Sequence, residues 1–183
     1  MADTVLHPGI SRLPGIASIP LWVHLAGFES MFGFSRKNEL RAKTAAEIEQ
    51  LSEAGNALLD KEDFNGAFKH FMKALDLLPE PKTKWREATW LLAALGDVYF
   101  LSRSYAQALQ AFSDVMHCPE AIGNPFLHLR LGQCQFEAGN LDRAADELAR
   151  AYMGGGLEIF QNDDDKYFEF LKTRLKPPAN GEW

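Results

Sequence analysis

Residues 48–79, IEQLSEAGNALLDKEDFNGAFKHFMKALDLLP, decide the fold. They set Gly55 in an apolar stretch, Ala67 twelve residues on, bulky Phe71 four further, then Ala74 and a closing Pro79. The pattern returns as Leu95, Gly96, Tyr99, Ala108 and Phe112, and again as Leu131, Gly132, Ala144, Leu148 and Ala151. Small residues at these offsets let two antiparallel helices approach closely, and the bulky ones fill the seam. Such a unit buries its apolar face only by stacking on its neighbours. The periodicity is helical, with no convincing strand, so the chain reads as an all-α binding scaffold.

Working outward, Thr44-Ala45-Ala46-Glu47 has capping-box form, with Thr44 as N-cap of a helix carrying Ile48, Leu51, Leu58 and Leu59 on one side. Asp60 to Asn65 makes a turn, Gly66 to Leu78 returns, and Pro79 with Pro81 stops the pair. Gly55 and Gly96 are 41 residues apart, seven more than the common repeat of about 34. Seven residues are almost two turns, so the insertion is expected to lengthen the next helix to Thr83–Leu101, with Trp85 on the face of Leu92. Tyr105 to His117 forms its partner. The third pair is expected over Pro125–Ala138 and Leu141–Met153, with Asn124 as N-cap and Gly154-Gly155-Gly156 as the stop. A last helix, Asp163 to Leu175, has acids at its start, bases at its end and an apolar stripe of Tyr167, Phe170, Leu171 and Leu175. Such a helix can cap the exposed end of a stack.

The bulk numbers fit one domain. The chain has 183 residues, 46% hydrophobic and 24% charged, with a formal net charge of -6. That charge argues against a general nucleic-acid or anionic-membrane binder and favours a basic partner. Two cysteines, Cys118 and Cys134, make no disulfide framework, so a reducing cytoplasm is the default. Leu13 to Phe28 is apolar, but Pro14, Pro20 and His24 interrupt it, which disfavours a spanning helix or a secretory signal. Met31 is an alternative start. Residues 1–34 therefore read as an N-terminal extension, 35–176 as the helical domain and 177–183 as a tail.

The three copies resemble tetratricopeptide repeats over about Ile48 to Glu158, with units near 48–81, 89–122 and 125–158 and a capping helix near 163–175. Departures are Val115 in a small-residue slot, Pro119 one position early, and His128 and Gln135 in slots usually apolar. The resemblance implies three helix pairs in a short right-handed α-solenoid, with a C-terminal capping helix. Its concave face would be lined by the first helix of each pair: Glu49, Glu53, Asn56 and Asp60, then Trp90 and Asp97, then Phe126, Arg130, Gln133 and Glu137. An acidic, aromatic face of this kind suits a basic segment with apolar anchors. Phe100, Phe126 and Phe136 could equally be core. Family members that clamp a terminal carboxylate use two lysines, two asparagines and an arginine. The matching slots here carry Ser52, Asn56, Ala94, Phe126 and Arg130, so only two of five fit and that role is disfavoured.

Met31-Phe32-Gly33-Phe34, Pro79-Glu80-Pro81-Lys82, Gly123-Asn124-Pro125-Phe126 and the Glu158-Ile159-Phe160 to Phe170-Leu171 tail resemble a group of small bacterial proteins. Some of that group are encoded beside polymorphic toxins as their immunity proteins. An acidic scaffold would suit a basic nuclease toxin.

No catalytic constellation is apparent. His117, Cys118, His128 and Cys134 match no standard zinc spacing. Asp163-Asp164-Asp165 lacks an EF-hand's alternation, and Gly154-Gly155-Gly156 is not followed by Lys-Ser or Lys-Thr. The expectation is a non-catalytic protein-binding module without cofactor or metal, monomeric or homodimeric. The alternative is an assembly protein whose groove is filled by its own N-terminal segment or by a second copy.

Overall fold

Each repeat glycine lies where its partner helix crosses. A Cβ on Gly55 would sit 2.8 Å from Phe71 Cε1, one on Gly96 2.7 Å from Phe112 Cζ, and one on Gly132 2.8 Å from Leu148 Cγ. The computed structural model describes residues 40–177 and 183. Among them, helices α1 (Ala42–Leu59) and α2 (Phe64–Asp76), α3 (Arg86–Leu101) and α4 (Tyr105–Val115), and α5 (Pro125–Glu137) and α6 (Leu141–Gly155) form three pairs, followed by α7 (Asp165–Lys172). Within each pair the helices pack along their length, and α2 packs on α3 as α4 does on α5. The extension, the alternative start and most of the tail lie outside the described residues.

Side-chain caps set the starts of α2, α5 and α7. The Asp63 carboxylate accepts from Gly66 N at 2.9 Å and caps α2. Asn124 accepts from Phe126 N and Leu127 N, with Pro125 at the first helical position, as expected for α5. Gly156, at φ 64°, ends α6 in a region that only glycine enters cheaply.

Several boundaries differ from expectation: α6 runs through Gly154 and Gly155 and stops only at Gly156, and α2 and α4 each end two residues early. Four further differences have a local cause. Helix α1 begins at Ala42 with Arg41 as N-cap and no side-chain cap. Thr44 lies inside the first turn, because Ala42 and Lys43 are good helix formers and nothing upstream breaks the helix. The insertion lengthens α3 by less than expected. Lys82–Lys84 makes a 3-10 turn, Trp85 is extended at φ -96°, ψ 136°, and α3 starts at Arg86. The Trp85 indole N–H donates to Pro79 O at 2.7 Å, so the ring folds back over the linker instead of extending the helix face. The first pair's return helix starts at Phe64, since its cap is Asp63 and not the turn residues beyond it. The final helix is shorter than Asp163–Leu175, because Asp164 caps it by accepting from Lys166 N and Asp163 turns elsewhere.

The core follows the stack. Ile48, Phe71, Leu91 and Leu95 join the first pair to α3, and Phe112, Val115, Leu127 and Leu131 join the second pair to α5. Leu129, Leu148, Phe160, Tyr167 and Leu171 join the third pair to the capping segment. Phe71 and Phe112 are fully buried, each contributing about 1.5–3 kcal/mol relative to exposure. The unusual polar residues in apolar slots are satisfied in place. His128 Nδ1 lies 2.6 Å from Glu147 Oε2, and Asn140 Nδ2 donates to Gln135 Oε1 at 2.9 Å. They belong to the packing.

Candidate binding face

One face recurs in α1, α3 and α5. Positions six and two before the repeat glycine, and one and five after it, lie about 100–160° around the helix from that glycine. In α1 these are Glu49, Glu53 and Asn56, with Asp60 just past its end; in α3, Trp90, Ala94, Asp97 and Leu101; in α5, Phe126, Arg130, Gln133 and Glu137. The glycine side is taken by the second helix of each pair, so this stripe turns away from the pair.

At the α1 end the stripe is open. Glu49, Glu53 and Asp60 are exposed, Asn56 is half-buried, and none makes an ion pair with another described residue. Trp90, in the same register of α3 as Glu49 in α1, is half-buried against the first core.

At the α5 end the same register is closed. Arg130 is 7% exposed, Asp97 3% and Gln133 0%. Arg130 Nε donates to Asp97 Oδ1 at 2.7 Å, and Nη1 donates to Gln133 Oε1 at 2.9 Å and to Asp163 Oδ1 at 2.6 Å. The guanidinium lies 5.1 Å from the Phe100 ring centroid and 5.2 Å from that of Phe126. Glu137 accepts from Tyr167 Oη at 2.7 Å and from Lys166 Nζ at 2.8 Å. The Tyr167 ring packs edge-on to Phe136, and Phe136 packs on Phe170.

Burial dominates the electrostatics here. It raises the Asp97 carboxyl above its usual value, more than the attraction of Arg130 lowers it. Burial also opposes the Arg130 charge, but Asp97 and Asp163 together outweigh it and hold the guanidinium firmly protonated. The Cys134 thiol is pushed up to about 12, first by burial, which makes it a poor nucleophile and metal ligand. Gln133 Nε2 is the buried side-chain polar atom without a partner among the described residues.

The ten sequence-derived positions thus divide. The α1 set is solvent-facing, Trp90 and Phe126 are half-buried, Asp97, Arg130 and Gln133 are interior and Glu137 is engaged. Sequence reasoning missed Asp163, Lys166 and Tyr167 as their partners. One signal was available: three consecutive aspartates stand at a helix start that only one of them can cap. Among the described residues no three His, Cys, Asp or Glu side chains converge on a metal position, and no helix is long and apolar enough to cross a membrane.

No family model matches the chain, and no curated protein matches it. Solved structures do. The C-terminal TPR-containing domain of a Plasmodium falciparum FK506-binding protein superposes with TM-score 0.59 at 18% identity, over 76% of this chain and 96% of that one. The fold is a tetratricopeptide-type solenoid. The Yersinia enterocolitica type III secretion chaperone SycD, in complex with a peptide of the translocator YopD, gives 0.56 at 18% identity, over 74% and 95%. The N-terminal domain of Caenorhabditis elegans stress-induced protein-1 gives 0.53 at 20%, over 73% and 100%. At these identities the likeness establishes the tetratricopeptide architecture, and the ligand has to be argued from this chain's own residues.

Proposed function

We propose that this protein is a non-catalytic scaffold that holds a basic protein or peptide on the face shared by α1, α3 and α5. The observation that carries the reading is the open stripe of Glu49, Glu53 and Asp60, with half-buried Trp90 in the same register of α3. Exposed acids without internal partners give on-rate and selectivity for a cationic ligand, and an aromatic at their edge gives it an anchor. That SycD was solved with a translocator peptide shows the architecture holding a peptide. The binding domain is taken as 35–176, flanked by 1–34 and the tail.

The finer reading is that the partner is a toxin and this protein its immunity protein, a role suggested by the resemblance to bacterial immunity scaffolds and by the acidic face. Where a toxin is encoded beside its gene, coexpression of the two tests this. The wild type should restore growth, and the double substitution Glu49→Lys with Glu53→Lys should lose that protection. No rescue by the wild type removes the immunity role. The scaffold reading then stands or falls on whether the purified protein retains a basic partner in a salt-sensitive complex that the same double substitution weakens.

A further inference from the structure

The concave stripe has two ends, and one already holds an occupant. The segment from Phe160 into α7 supplies Asp163 to Arg130 and Tyr167 with Lys166 to Glu137. The Tyr167 ring also reaches Phe100 on α3, at 6.5 Å between centroids. A ligand seeking Arg130 would have to displace a carboxylate 2.6 Å away whose side chain is only 11% exposed. Asp97 would remain buried beside the disrupted pair. Opening a buried ion network is strongly unfavourable when nothing equivalent replaces it. The α1 end asks for no such displacement, because Glu49 and Glu53 are solvated and unpaired among the described residues.

We infer that the capping segment is a resident filler of the α5 end, and that the partner is confined to the α1–α3 half, where it docks as an extended basic–apolar–basic segment. This rests on the proposed function of the stripe and specifies where and in what register it works. Glu49 and Glu53 are one helical turn apart, about 6 Å along the axis. Alternate side chains of an extended chain are about 6.6 Å apart and point the same way, while the residue between them points to the opposite side. Two lysines or arginines spaced i, i+2 therefore match the two carboxylates, and the intervening apolar side chain is turned to the α3 side, where Trp90 holds the repeat register that Glu49 holds on α1. The closed hub of Arg130, Phe100 and Phe126 ends the site.

The test uses the full chain and two seven-residue peptides, one with a central Lys-Leu-Lys and one with Glu-Leu-Glu, followed by amide and indole chemical shifts. The Lys-Leu-Lys peptide should shift amides from Glu49 to Asp60 and the Trp90 indole N–H, and the acidic peptide should not. Glu49→Lys with Glu53→Lys should weaken binding about tenfold or more, and raised salt should do the same. Shifts centred on Phe126–Glu137 and Asp163–Tyr167 would overturn the confinement while leaving a basic partner in place. No shift at about 1 mM peptide, or equal shifts with the acidic peptide, would overturn both the inference and the basic-partner reading.

Discussion

The stripe on α1 and the stripe on α5 occupy the same register of the same repeat and meet opposite fates. Glu53 and Arg130 both stand two residues before their repeat glycine, yet Glu53 is exposed while Arg130 is 7% exposed and bonded to three acceptors. The backbone rule of the repeat is obeyed in both places, since Gly55 and Gly132 each abut a bulky residue of the partner helix. What differs is the chain that follows. After the third pair it folds back over α5, and no described element covers the equivalent face of α1. A repeat therefore specifies which side chains share a face, while sequence beyond the repeat decides whether that face is surface or interior.

The largest break in this comparison should come from removing the interior charge. Arg130→Ala strands Asp97 and Asp163, and is expected to cost about 3–5 kcal/mol in urea unfolding. Glu53→Ala, at the same register, should stay within about 0.5 kcal/mol. Replacing Asp97, Arg130 and Asp163 together by apolar residues of similar volume should recover most of the loss, because the penalty lies in the unpaired carboxylates. If Arg130→Ala were as mild as Glu53→Ala, the hub would be solvated and the division between the two ends would fail.

A second, smaller contrast lies on the glycine side. A Cβ on Gly132 would meet Leu148 Cγ, Cδ2 and its backbone N, at 2.8, 2.9 and 3.0 Å, whereas the three nearest atoms to one on Gly55 all belong to the Phe71 ring. Overpacking costs about 1–3 kcal/mol, against about 1 kcal/mol gained from alanine's helix preference. Gly132→Ala should therefore destabilise clearly and Gly55→Ala less, because a ring can tilt where a backbone nitrogen cannot withdraw. The check is a shift of the urea midpoint at unchanged slope. Equal shifts would mean that the third pair is as yielding as the first.

The architecture was legible because Gly55, Ala67 and Phe71, with their two later copies, encode a close helix crossing in spacing alone. The face was legible in register, from Glu49 to Glu137, for the same reason. Its burial was not. The partners of Arg130 and Glu137 lie 33 and 30 residues further along the chain, in a segment outside the repeat whose aspartates read equally well as helix-start charges. The linker misled for a related reason. Helical phase allowed a helix start at Thr83, but the Trp85 indole finds its acceptor at Pro79 O, and no periodicity announces a ring folding back on a proline carbonyl.

The finest test concerns the capping segment's second hold, at Glu137, whose counterpart Asp60 is exposed. Tyr167→Phe keeps the ring against Phe136 and removes the hydroxyl that donates to Glu137, so it should cost about 1–2 kcal/mol near neutral pH. Burial first, and then the bond to Glu137, raise the Tyr167 phenol above its ordinary value. In the unfolded chain the phenol ionises near pH 10, while in the folded chain it stays protonated. Above that pH the folded state holds the extra proton, so this group's contribution to stability falls as pH rises. The phenylalanine variant has no such loss. The stability gap between wild type and Tyr167→Phe should therefore narrow, and then reverse, as pH is raised beyond about 10. A gap that stayed constant with pH would place the hydroxyl in water, and the α5 end of the stripe would be as open as the α1 end.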